Sequence, residues 1–139
     1  MPRFFTLEEF LTSSTARQKS LENMPSFEVV ENLKELANFL DGVRAAWGSG
    51  IRITSGFRNA KLNALVGGQP SSLHLKGWAA DLQPVNGNFE GFKKFMVNYL
   101  KDKNFDELII ERSKTAVWLH FQLYSNNGFQ RKKVFSLNV

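Results

Sequence analysis

Residues 116–124 alternate as only a strand with two unlike faces can use. With a side-chain period of two, Val117, Leu119, Phe121 and Leu123 share one face, which is uniformly apolar and must meet the core. Ala116, Trp118, His120, Gln122 and Tyr124 share the other. A histidine in the middle of a buried-type strand therefore points away from the core. It shares its face with the polar and aromatic groups that line binding clefts. The chain is thus expected to build a sheet that is packed on one side and carries a site on the other.

The rest of the chain supplies the layers for such a sheet. Residues 6–11 read as a short opening helix, broken by Ser13, Ser14 and Thr15. Residues 26–47 read as the longest helix, capped by Ser26 with Glu28 in the first turn and ended by Gly48 and Gly50. In it Val29, Val30, Leu33, Leu36, Ala37, Leu40 and Val43 recur at helical spacing. Residues 51–55 alternate like a strand, and a short polar helix follows near 58–65, closed by Gly67 and Gly68. A loop over 69–77 leads to a second strand at 78–83. Residues 89–100 form a helix with Phe92, Phe95, Met96 and Tyr99 on one side, and 106–111 and 116–124 form a hairpin turning at Ser113, Lys114 and Thr115. This order predicts an α+β fold, a mostly antiparallel sheet flanked by helices. A length of 139 residues predicts a single domain over 1–139 with a core that needs no covalent staple.

Composition narrows the chemistry. There is no cysteine, which excludes disulfides, thiolate metal sites and cysteine nucleophiles. The start of the chain, Met1 to Phe5, runs into the polar Thr6, Glu8 and Glu9 with no apolar leader segment, and no stretch reaches the roughly 20 apolar residues of a membrane span. The chain is expected to be made in the cytoplasm without a signal peptide and not to insert into membranes. The net charge of +5 and pI of about 9.6 favour a polyanionic surrounding, nucleic acid or an acidic cell wall. The basic residues are scattered apart from Arg131, Lys132 and Lys133, and no nucleic-acid motif is present, so no nucleic-acid partner is expected.

Only two histidines exist, and a carboxylate stands in position to join them. In the strand at 78–83, Ala79, Asp81 and Gln83 share a face opposite Trp78, Ala80 and Leu82, which puts Trp78 on the core side. The small Ala79 leaves room beside Asp81. His74 lies seven residues earlier, ahead of Gly77, where the chain can turn back toward Asp81. Two imidazoles and one carboxylate suit Zn²⁺ with a fourth position left open, the arrangement of a catalytic rather than a structural zinc. The spacing of His74 and Asp81 is by itself common, and Asp81 alone also reads as an ordinary strand carboxylate.

The motifs, in order, resemble a known family. Ser55-Gly56-Phe57-Arg58, then Ser72-Leu73-His74-Leu75-Lys76-Gly77-Trp78-Ala79-Ala80-Asp81, then Trp118-Leu119-His120, are similar to the M15 zinc peptidases, in particular the branch common in bacteriophages and prophages. The stretches Phe5–Phe10, Asn23–Pro25 and Val66–Gly68 resemble it too, so the likeness covers nearly the whole chain. The resemblance implies the Hedgehog/D-Ala-D-Ala-peptidase fold. It implies one zinc per chain on His74, Asp81 and His120, and hydrolysis of peptide bonds in peptidoglycan stem peptides or cross-links. Arg58 matches the family arginine that meets the substrate's carbonyl or carboxylate. Many members carry an acid three positions before the last histidine; here that position is Val117, on the core face. The remaining candidate for the general base is Glu111, on the preceding strand, which also reads as a plain edge-strand carboxylate. Ser72 either contacts the substrate and orients His74 or simply forms the turn, and Trp118 lines the substrate groove. The competing reading is a weakly active or inactive phage module that binds cell wall. In both readings the chain is a monomer that meets the wall after release or as part of a virion.

Overall fold

The computed structural model describes residues 3–139; Met1 and Pro2, where the leader-free start was read, lie outside the described residues. The elements are α1 (Leu7–Leu11), α2 (Ser14–Gln18), α3 (Phe27–Trp47), β1 (Ile51–Ser55), α4 (Ala60–Leu65), β2 (Ala79–Pro84), α5 (Phe89–Tyr99), β3 (Glu107–Arg112), β4 (Val117–Gln122) and β5 (Lys133–Asn138). Single 3₁₀ turns occupy Leu73–Leu75 and Leu100–Asp102. The five strands form one sheet in the order β1-β2-β4-β3-β5. Every pairing is antiparallel except that of β5 with β3, so the α+β expectation holds. Among the described residues, no helix is long and apolar enough to cross a membrane.

Local chemistry explains the boundaries. Ser26 accepts from the Val29 N–H at 3.3 Å and starts α3, and Gly48, at φ +77°, ends it in the left-handed conformation that glycine adopts freely. Thr6 and Glu9 form a reciprocal capping box on α1. Ser13 departs from the expectation. It does more than break the first helix: its hydroxyl accepts from the Ala16 N–H at 3.2 Å and starts α2.

The apolar stripe of α3 and the Phe92–Met96 side of α5 pack on one face of the sheet. There Leu33, Leu36, Leu40, Phe92 and Met96 meet Leu82, Leu108, Leu119 and Phe121, all fully buried. Each such side chain contributes about 1.5–3 kcal/mol by leaving water. Phe39 stacks on Phe121 with ring centroids 5.1 Å apart. Trp78, placed on the core side by alternation, is only half-buried: it packs against the core but also stands edge-on to Tyr124.

The opposite face carries a row of residues in register across all five strands: Ser55, Asp81, His120, Ile109 and Phe135. One row along, Trp118, Glu111 and Leu137 stand side by side. A register shift between Ile53 and Ser55 kinks β1 at the end of this row, as bulges beside functional sites do. Strand β5 had no sequence expectation; all of its residues are exposed, so neither face shows the alternation that betrays a strand.

Candidate metal centre

His74 is placed by the backbone. The 3₁₀ turn carrying it is closed by Ser72, whose hydroxyl accepts from the His74 N–H at 3.2 Å. The His74 carbonyl accepts from the Arg58 N–H at 3.1 Å. His74 Nδ1 lies 2.7 Å from the Gly56 carbonyl oxygen. A carbonyl only accepts, so Nδ1 carries the hydrogen and the Nε2 lone pair is aimed the other way. Gly56 is favoured for a local reason: a Cβ there would run into the Phe10 backbone, to which the next residue is bonded through Phe57 N–H and Phe10 O at 2.7 Å.

Asp81 and His120 are brought together by the sheet, as register partners on β2 and β4. Asp81 Oδ1 lies 3.4 Å from His74 Nε2 and 3.0 Å from His120 Nδ1. His74 and His120 are buried, at 3% and 8% exposure, so their nitrogens meet a nearly dry site. His120 Nε2 lies 2.7 Å from Gln122 Oε1. The three ligand atoms fall within 4.8 Å of one another. Two metal bonds of about 2.1 Å at a tetrahedral angle span about 3.4 Å. The donor set, two imidazole nitrogens and one carboxylate oxygen converging on one point, fits a single divalent ion.

The electrostatics are those of a cation site. Burial disfavours the Asp81 charge, but His74 and His120 outweigh it and hold the carboxyl far below its usual range. Burial likewise disfavours a charged His120, yet the bonds to Asp81 and Gln122 and the nearby Glu111 charge raise its pKa above the ordinary histidine value. The proton so retained is one that a bound cation would have to displace.

The other residues singled out from sequence surround this cluster. Glu111 is only 17% exposed, and its Oε1 lies 3.9 Å from His120 Nδ1 and accepts from the Trp118 indole N–H at 3.0 Å. Trp118 thus stands beside Glu111 on the cleft face. Arg58 donates through Nη2 to the Ser72 hydroxyl at 3.3 Å, and its Nε is buried with no partner. It makes no ion pair among the described residues; burial lowers its pKa while Asp81 and Glu111 pull the other way. Ser72 touches the backbone of His74 and the side chain of Arg58. All of these line one open cleft of about 650 Å³.

Sequence reasoning placed Gln122 on the cleft face but gave it no role, read Arg131 only as part of a basic cluster, and missed β5, whose Leu137 forms part of the wall. The only available signal was the spacing of Gln122, two residues beyond His120 on the same strand face.

A family model described as Peptidase M15 matches residues 3–121. No curated protein matches the chain. The matched stretch takes in Arg58, Ser72, His74, Asp81, Glu111, Trp118 and His120 and stops short of Gln122, Arg131 and β5.

Proposed function

The chain belongs to the peptidase M15 family, and from that membership we propose that it is a zinc peptidase acting on peptidoglycan stem peptides or cross-links. The observation that carries the reading is the meeting of Glu111 with the His74–Asp81–His120 cluster, its carboxylate 3.9 Å from a ligand nitrogen and fixed by Trp118. Two imidazoles with one carboxylate form a donor set typical of catalytic zinc. When bound, the ion supplies Lewis acidity and brings the pKa of a water to about 7.

The chain's own residues do the rest. Glu111 takes the proton of the attacking water and delivers it to the departing amine, and the Trp118 N–H keeps the carboxylate turned to the cluster. Arg58, without an ion pair among the described residues and steadied by Ser72, offers its fork to the developing oxyanion or to a terminal carboxylate of the peptide. The indole of Trp118 gives the substrate an apolar wall. The basic net charge suits an anionic wall polymer. In this reading the chain works as a monomer, on the wall of a bacterial host, after release or as a virion component.

The test is mass spectrometry of wall digests with zinc and with chelator. Glu111→Gln is expected to lower the cleavage rate about 10²- to 10⁴-fold and to leave zinc bound. An unchanged rate would remove Glu111 from the base role. Wild-type protein that binds wall fragments, holds zinc and cleaves nothing would make the chain a binding module, the reading that Val117 in place of an acid favours.

A further inference from the structure

His120 is oriented by a chain of side chains that runs out of the metal site to the C-terminal segment. Asp106 is fully buried. Its two oxygens accept from Gln122 Nε2 at 2.9 Å, from the Arg131 backbone N–H at 3.2 Å, and from Arg131 Nε and Nη2 at 2.8 and 2.9 Å. A carboxylate has about four acceptor positions, and here all are used. Burial opposes this charge, but Arg131 and Gln122 outweigh it and hold the Asp106 carboxyl below its usual range.

The consequence is directional. A carboxylate can only accept, so the Gln122 amide must present its NH₂ to Asp106. Its carbonyl oxygen then has to face His120 Nε2, 2.7 Å away. That oxygen also only accepts, so Nε2 must carry a hydrogen. The lone pair of a neutral His120 is thereby placed on Nδ1, the atom that faces Asp81. Without an ion, a second hydrogen on Nδ1 meets the Asp81 carboxylate, and it is this hydrogen that a cation displaces, while the Nε2–H stays on Gln122. Leaving a buried group of this relay unsatisfied costs about 1–3 kcal/mol.

We propose that Gln122 is a positioning residue for the metal, held in its working orientation by Asp106 and Arg131, and that it fixes His120 as an Nδ1 ligand before any ion arrives. The inference rests on the reading of His120 as a metal ligand. It ties that ligand to residues 122 and 131, both beyond the stretch matched to the family. Residues outside the direct ligands commonly set metal affinity within about 10–100-fold.

Two substitutions test it. Gln122→Leu keeps the volume and removes the acceptor. Gln122→Glu, protonated beside the Asp106 carboxylate, restores both halves of the pattern: its O–H donates to Asp106 and its carbonyl accepts from His120. Zinc dissociation constants from chelator competition are expected to rise about 10–100-fold for Gln122→Leu and to stay within a few-fold of wild type for Gln122→Glu. Proton–nitrogen NMR of the zinc-loaded proteins gives a second readout. A slowly exchanging Nε2–H on His120 is expected in wild type and Gln122→Glu and lost in Gln122→Leu. Backbone amide spectra of the metal-free variants confirm that each is folded. Equal zinc affinity in Gln122→Leu and wild type, or equal loss in both variants, overturns the proposal. Wild-type protein that binds no zinc overturns instead the assignment of the ligands on which it stands.

Discussion

His74 is oriented by main chain and His120 by side chains. The first is caught between a 3₁₀ turn and the Gly56 carbonyl, so its geometry follows from the path of the backbone. The second stands on a strand, and its ring is fixed through Gln122, Asp106 and Arg131. Both devices occupy one ring nitrogen with an acceptor and turn the other toward Asp81. The difference lies in where each can be broken. Backbone anchorage yields only to changes that move the chain, while a side-chain relay yields to any change that removes a donor or acceptor.

Arg131→Gln should break the comparison most sharply on the His120 side. It strips a fully buried carboxylate of its charged partner, a change that costs about 3–5 kcal/mol when both partners are buried. Arg131 is 40% exposed, so the lower part of that range is expected. Chemical denaturation would read the loss, and zinc competition should show weakened binding with His74 undisturbed. Gly56→Ala attacks the other anchor. The new methyl meets the Phe10 backbone, and crowding of this kind costs about 1–3 kcal/mol; zinc affinity should fall with stability, because the carbonyl that holds His74 moves.

A pH series separates the two states of the site. Asp106 has its folded pKa depressed by Arg131 and Gln122 against the effect of burial. Its contribution is therefore complete above the unfolded carboxylate value of about 4 and is lost as pH falls through the folded value. His120 has its folded pKa raised by Asp81 and Gln122 against burial. Without metal, that contribution is present below the unfolded value of about 6.5 and fades as pH rises through the folded one. With zinc the sign reverses, because the metal competes with that proton and binds better as pH rises. Melting temperatures of the metal-free and zinc-loaded protein should therefore diverge on going from pH 6 to pH 8. The smallest effect is expected of Ser72→Ala. It removes the hydroxyl that accepts from the His74 N–H and from Arg58, about 0.5–1.5 kcal/mol for each bond, and should leave zinc affinity within a few-fold if the Gly56 carbonyl is the true anchor.

Much of this was legible in the sequence because the signals are local. The alternation around His120 and around Asp81 fixed which side chains leave the core, and the periodicity of Leu33, Leu36 and Leu40 fixed the buried stripe of α3. Ser26 and Gly48 marked its ends. What escaped is what depends on distant partners or on exposure. Asp106 and Arg131 meet across 25 residues with no periodic pattern to pair them. β5 joins β3 in parallel from a segment exposed on both faces, so it lacks the two-sided signature that revealed β4. Ser13 read as a breaker because a hydroxyl that ends one helix is indistinguishable in sequence from one that begins the next.

Diffraction from the zinc-soaked protein at the metal's absorption edge tests the centre itself. The expected result is one anomalous peak per chain, bonded at about 2.0–2.2 Å to His74 Nε2, an Asp81 oxygen and His120 Nδ1. A peak elsewhere, or one that reaches His120 through Nε2 with Gln122 swung away, would contradict the site built from these residues.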